Sequence, residues 1–228
     1  MEATNRLSTL MDLKKLYNVA KWQAGYRCWF CGEADGQAPI CAGCGKDLAR
    51  TDSVRDLPAL TSISQVAAPF LYTYPLDHLI KAAKFQQDRA ALALVAHLVK
   101  ENVSIHLHGN CDVVAIPMTW QRYSARGFNH GMTLAEALAK RHQLTFTPQA
   151  LKRIRHGPAQ SLLDESERRA NLVDAFLADR SVRDHDVIIV DDVITTGATM
   201  TSAATALTAA GARQVLAVAL AVSPTGRR

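Results

Sequence analysis

This chain of 228 residues has no unbroken apolar run long enough to span a bilayer. Its first twenty residues scatter charges through the segment and supply neither an apolar h-region nor a small-residue cleavage site. No secretory leader is therefore expected, and the expected location is the cytoplasm. Internal repeats and low-complexity tracts are missing too, which argues against a solenoid or a linker-dominated chain. Nor does one charge dominate: 26 Lys and Arg stand against 21 Asp and Glu, a formal +5 that suits phosphate-bearing partners without requiring them. What the chain does have is apolar residues, 48% of the total, enough for one ordinary α/β domain with a small appendage.

Of its five cysteines, four form two Cys-x-x-Cys pairs, Cys28/Cys31 and Cys41/Cys44, while Cys111 stands alone. In a reducing compartment such pairs are metal ligands more often than disulfides. Each pair is followed by a glycine, Gly32 or Gly45, which allows a tight turn around a thiolate. Four sulfurs at these spacings match a closed tetrahedral Zn²⁺ site, structural because no position is left for water; a redox pair is the alternative. Trp22, Tyr26, Arg27, Trp29 and Phe30 surround this module. They could stack on single-stranded bases, or the rings could pack against the zinc module or the main domain.

Hydrophobic periodicity divides the chain. Leu7, Leu10, Leu13, Leu16 and Tyr17 predict an amphipathic helix within 1–24, followed by the cysteine module over 25–58, with a boundary near Pro58. The remainder, 59–228, reads as alternating strands and helices. Strands are expected over Val66–Tyr74, Val113–Ile116, Val187–Val190 and Val215–Val222. Helices are expected over Leu76–Phe85, Asp88–Lys100, Gly127–His142 and Met200–Ala210. Leu151–Asp164, with Gly157-Pro158 and several cations, reads as extended and partly mobile. Such alternation implies a parallel twisted sheet with helices on both faces.

The strand Val187–Val190 delivers Asp191 and Asp192 at its carboxyl end, where open α/β sheets bind ligands. The polar turn Thr195, Thr196, Gly197, Ala198, Thr199 then opens a helix whose unpaired N–H groups and dipole favour an anion. Gly197 permits close backbone approach, and the three threonine hydroxyls can donate further hydrogen bonds. Two carboxylates beside an anion site call for another partner, vicinal ribose hydroxyls or a hydrated Mg²⁺. An ordinary capped helix would use the same residue types as turn formers only. A Walker loop is excluded, because no Gly-Lys-Ser/Thr follows. Arg122 and Arg126 lie beyond the strand that ends at Pro117, on the same sheet edge. Lys152, Arg153 and Arg155 flank Gly157-Pro158 and Gln160 in a segment able to close over a leaving group. Solvated surface cations are the alternative for both groups.

Val190–Thr199 resembles the fingerprint of type I phosphoribosyltransferases for phosphoribosyl diphosphate (PRPP). That resemblance implies that the acidic pair holds the ribose hydroxyls and the turn holds the 5′-phosphate. Further motifs occur in the order of the ComF family: the Cys-x-x-Cys pairs, Lys84-Phe85, Arg126-Gly127-Phe128-Asn129, Arg155 with Gln160, Arg168/Arg169-Ala170-Asn171 with Ala175-Phe176, and Val190–Thr199. The chain is similar to that family over most of its length from Cys28 onward. It departs at His130, where the family usually has Gln, and at Gly157, where Thr is common. His130 can still hydrogen-bond, whereas Gly157 cannot.

The resemblance implies a type I phosphoribosyltransferase-like fold with a small N-terminal zinc module, and a role in DNA uptake during natural transformation or in the use of DNA as a nutrient. As an enzyme, the protein would bind Mg²⁺ and PRPP and transfer the ribose phosphate to an acceptor that the sequence does not name. Arg122, Arg126 and Arg155 would then take up charge on the departing pyrophosphate. As a binding protein, it would sense PRPP or a nucleotide while engaging single-stranded DNA or a DNA-processing partner. A nucleotide-salvage enzyme is a third reading.

Overall fold

The structure, a computed structural model, describes residues 27–33, 39–51, 60–86, 88–105, 110–154 and 175–224. The predicted N-terminal helix, Trp22, Tyr26, Arg155, Gln160 and the Arg168–Asn171 motif lie outside the described residues. After a one-and-a-half-turn helix α1 (Ala42–Asp47) come β1 (Gln65–Ala67), β2 (Phe70–Leu71), α2 (Leu76–Phe85) and α3 (Arg89–Asn102). Then follow β3 (Cys111–Ala115), α4 (Trp120–Arg126), α5 (His130–His142), β4 (Thr145–Phe146) and β5 (Leu151–Arg153). The chain closes with β6 (Phe176–Ala178), a 3₁₀ turn, β7 (Asp186–Ile194), α6 (Ala198–Ala209) and β8 (Gln214–Val222).

Six strands form one parallel sheet in the order β1-β8-β7-β3-β4, with β2 pairing farther along the same edge of β8 as β1. The single strand expected over Val66–Tyr74 is thus two pieces. Pro69 sits between them, and a proline has no N–H to give to a ladder. At the centre, β7 pairs with β8 from Asp186↔Gln214 to Ile194↔Val222 and with β3 from Cys111↔Asp186 to Ala115↔Val190. β5 and β6 form a separate antiparallel pair.

The aliphatic run of β7 shows why the sheet is covered on both faces. Ile188 and Val190 enter one core with Val113, Leu134, Leu138 and Leu79, while Val187 and Ile189 enter the other with Val114, Ala203, Leu207 and Phe176. Period-2 alternation of a fully apolar strand feeds two cores only if both faces are roofed. α3 begins where Asp88 caps it, its carboxylate accepting from the N–H groups of Ala90 and Ala91 at 2.8 and 3.0 Å.

Gly127 departs from its expected role. It does not start a helix: at φ 77° it is the left-handed stop of α4, a helix that the sequence reading does not anticipate. The following helix starts at His130 with Asn129 as its cap. Among the described residues, no helix is long and apolar enough to cross a membrane.

Candidate functional site and metal centre

β7 runs through Ile194, so Asp191 and Asp192 are strand residues that flank the sheet's carboxyl edge from within rather than loop residues beyond it. Asp192 is buried and Asp191 half-buried. The Asp192 N–H donates to Asp191 Oδ1 at 2.9 Å, holding the two carboxylates side by side. Burial, reinforced by the negative charge of Asp192 and opposed by Lys84, raises the Asp191 carboxyl to about 7.

Beyond the strand, Thr195, Thr196 and Gly197 turn the chain into α6. Gly197 has φ 75°, which favours glycine, and a Cβ there would lie 2.6 Å from Leu60 Cδ2, so Leu60 would have to move aside. Thr196 Oγ1 accepts from the Ala198 N–H at 3.4 Å, which leaves its own hydroxyl proton free to donate.

The acidic pair and this turn border a cavity of about 290 Å³. Asp191, Asp192, Thr195 and Thr199 are among its lining residues; Arg122, Arg126 and Arg153 supply guanidinium groups, and Lys84 supplies an ammonium. Of the residues expected from sequence, Thr196, Gly197 and Ala198 build the turn but are not among the lining residues, and Arg155 lies outside the described residues. Arg153, two positions earlier, lines the cavity from β5, with its guanidinium 5.2 Å from the Phe176 ring centroid. Burial, and then the charge of Arg122, lowers the pKa values of both Arg126 and Arg153. Crowding cations in this way favours an anionic ligand that relieves their repulsion.

The loop between β3 and α5 is held by Asn129, whose Nδ2 donates to the Ile116 carbonyl at 3.1 Å and whose Oδ1 accepts from the Gly131 N–H at 3.0 Å. His130 is buried, and its Nε2 lies 2.9 Å from the Ala83 carbonyl, so it carries the proton there and donates. Burial lowers its pKa and keeps the ring neutral, although the Ala83 hydrogen bond opposes this. Lys84, the next residue after Ala83, places Nζ 2.8 Å from Asp192 Oδ1. The Lys84-Phe85 pair enters the sequence reading only as a family motif; no local signal could show that it meets Asp192.

At the other end of the described chain, the Sγ atoms of Cys28, Cys31, Cys41 and Cys44 all lie within 4.8 Å of one another, with Cys31 and Cys41 3.8 Å apart. Sulfurs about 2.3 Å from a tetrahedral Zn²⁺ would be separated by about 3.8 Å, so the four fit that ion. Burial opposes ionisation of Cys28, but N–H groups of Cys31, Cys41 and Phe30 outweigh it and bring the thiol down to about 6. The Cys41 sulfur, burial and then the Cys28 charge push Cys44 far up. Four thiolates here therefore need a cation to share. The two turns differ: Gly32 has φ 75°, whereas Gly45 is inside α1. Trp29 and Phe30 meet edge to face at 5.3 Å and pack against the main core, which favours packing for these two rings.

The family model for the phosphoribosyl transferase domain matches residues 129–228. The DNA utilization protein YhgH of Salmonella typhimurium is 32% identical over 149 residues, covering 63% of this chain and 66% of that protein, just under two thirds of its length. The protein of the same name from Escherichia coli O157:H7 is 29% identical over 213 residues, covering 82% and 93%. Competence protein F of Haemophilus influenzae is 27% identical over 201 residues, covering 82% and 86%. The chain thus carries a phosphoribosyl transferase domain, is similar to proteins named for DNA utilization and competence, and has a four-cysteine cluster that fits an N-terminal zinc module.

Proposed function

We propose that the cavity binds PRPP with Mg²⁺ and that the protein transfers its ribose phosphate to an acceptor in the service of DNA uptake or DNA utilisation. The observation that carries this reading is the meeting of two unlike sets of groups in one cavity: the carboxylates of Asp191 and Asp192 line it together with the cations Arg122, Arg126 and Arg153. A sugar carrying a phosphate at one end and a diphosphate at the other suits both. Its vicinal hydroxyls donate to the acidic pair. Its 5′-phosphate takes the N-terminal N–H groups of α6 and the hydroxyls of Thr195 and Thr199. Its diphosphate faces the guanidinium groups.

In the transfer, the bond from C1 to the diphosphate oxygen breaks and its electron pair leaves with the diphosphate. A lone pair of the acceptor then closes the new bond to C1. Arg122, Arg126 and Arg153 stabilise the charge that gathers on the leaving group, and they are placed before the reaction begins. Arg155 is assigned the same task. Mg²⁺ travelling with the diphosphate, whose oxygens are the hard ligands it prefers, would offset part of that charge.

The relatives named for DNA utilization and competence support DNA-linked work; single-stranded DNA or a DNA-processing protein is the partner we propose. Calorimetry with PRPP and Mg²⁺ tests the site. A pyrophosphate-release assay across bases, nucleosides and single-stranded DNA tests the transfer: binding without release under any acceptor leaves a sensor of PRPP and ends the enzyme reading. Retention of single-stranded DNA that is absent, or indifferent to salt, would count against the nucleic-acid partner.

A further inference from the structure

Among the cations of the cavity, Lys84 bonds the acidic pair itself. Its Nζ is 2.8 Å from Asp192 Oδ1, with the two side chains 19% and 11% exposed. That ammonium occupies a carboxylate that a ribose would use. Resting on the reading of this cavity as a ribose-phosphate site, we propose that Lys84 is a mobile counter-ion: it pairs with Asp192 before the sugar binds, then moves to the anionic group carried on C1 when the vicinal hydroxyls take its place.

Three features support such an exchange. First, two adjacent carboxylates at the end of a buried strand repel each other, and a cation offsets that repulsion while no sugar is bound. Hydroxyl donors do part of the same work once a sugar arrives, so the ammonium becomes dispensable there. Second, the backbone beside Lys84 is held at Ala83, and the next side chain, Phe85, meets a guanidinium. The Ala83 carbonyl accepts from His130 Nε2 at 2.9 Å, and the Arg126 guanidinium lies 4.8 Å from the Phe85 ring centroid. With its backbone in the last turn of α2, the exchange is a rotation of one four-carbon side chain, for which lysine is better suited than the planar fork of arginine. Third, Lys84 shares its cavity with Arg122, Arg126 and Arg153, so an ammonium that leaves Asp192 meets the same anion as they do. His130 acts through Ala83 as a positioning residue.

The exchange predicts that loss of the charge separates two ligands. Calorimetry of the full chain with Mg²⁺, using PRPP and ribose 5-phosphate as probes, is run on the wild type, K84M and K84R. K84M is expected to bind PRPP at least tenfold more weakly, while its affinity for ribose 5-phosphate, which has no anion on C1, stays unchanged or rises. K84R is expected to keep PRPP affinity within about threefold, since the cation remains. If K84M fails to fold, K84Q replaces it, because its amide can still donate to Asp192 without carrying charge. Equal weakening of both ligands, or no weakening of either, overturns the role of Lys84 while leaving the ribose-phosphate site standing. A wild type that binds neither probe overturns the site reading, and this inference with it.

Discussion

Arg213 Nε donates to Asp186 Oδ1 at 2.7 Å, at the opposite end of β7 from Asp191. One strand thus carries a paired carboxylate at its amino end and an acidic pair at its carboxyl end. The Arg213 hydrogen bond, against the cost of burial, holds Asp186 below the usual carboxylate range. Its folded value lies below its unfolded value of about 3.9, so the stability it contributes is present above about pH 4 and lost as pH falls through the folded value. Removing the partner strands a buried carboxylate. R213A is expected to destabilise the fold modestly, the effect kept small because half of the Arg213 side chain is in water. Thermal melting at pH 7 should show a fall of roughly 2–4 °C, with PRPP affinity unchanged.

Asp191 obeys the opposite sign. Its carboxyl is raised to about 7 by burial and by Asp192, so the folded state holds the proton more tightly than the unfolded chain does. The contribution is complete below about pH 4 and is lost as pH rises through about 7. Asn mimics the protonated form, so D191N is expected to gain on the wild type between pH 4 and pH 8, by a few degrees at the upper end. The same variant is expected to lose at least tenfold in PRPP affinity at pH 8. A melting difference that does not grow with pH would remove the assigned shift, whatever happens to binding.

The sheet and its two cores were legible because Val187–Val190 and Val215–Val222 are continuous aliphatic runs, and such runs fit only strands roofed on both faces. The acidic pair was legible for the same reason, since a strand of that kind fixes where its next residues emerge. α4 was not. Over seven residues it exposes Trp120 and Tyr123 and shows no apolar stripe, so period 3.6 had nothing to reveal. Gly127 was then read as an opening instead of a stop, because a glycine's sign of φ is not written in its neighbours. Arg153 was grouped with nearby cations, but which of them faces the cavity depends on the pairing of β5 with β6. The contact between Lys84 and Asp192 joins the end of α2 to the central strand, a relation set by the packed fold and not by any local pattern.

The cysteine cluster yields a prediction about folding rather than chemistry. Four sulfurs within 4.8 Å of one another, with Cys28 drawn down to about 6 and Cys44 pushed up, hold together as thiolates only around a cation. Purified protein should contain one zinc per chain by elemental analysis. A strong chelator should lower the melting temperature and expose all four thiols to a thiol reagent. C41S should release the metal and reproduce that loss. Zinc well below one per chain in freshly purified protein would count against the site.

Gly197 concentrates two constraints on one residue. Its φ of 75° is one that side-chain-bearing residues adopt at a cost of about 1 kcal/mol or more, and the Cβ of an alanine would stand 2.6 Å from Leu60 Cδ2. The Leu60 side chain can swing aside, which makes the backbone the larger cost. G197A is therefore expected to lose about 1–2 kcal/mol in denaturant titration. If the turn is where a 5′-phosphate sits, the variant should also weaken ribose 5-phosphate binding at least tenfold, since the N–H groups of Ala198 and Thr199 would be re-aimed. Inorganic pyrophosphate, held by the arginines, should bind the variant almost as it binds the wild type. Loss of both ligands together would mean that the whole cavity had collapsed, and would dissociate the turn from any specific part of the sugar phosphate.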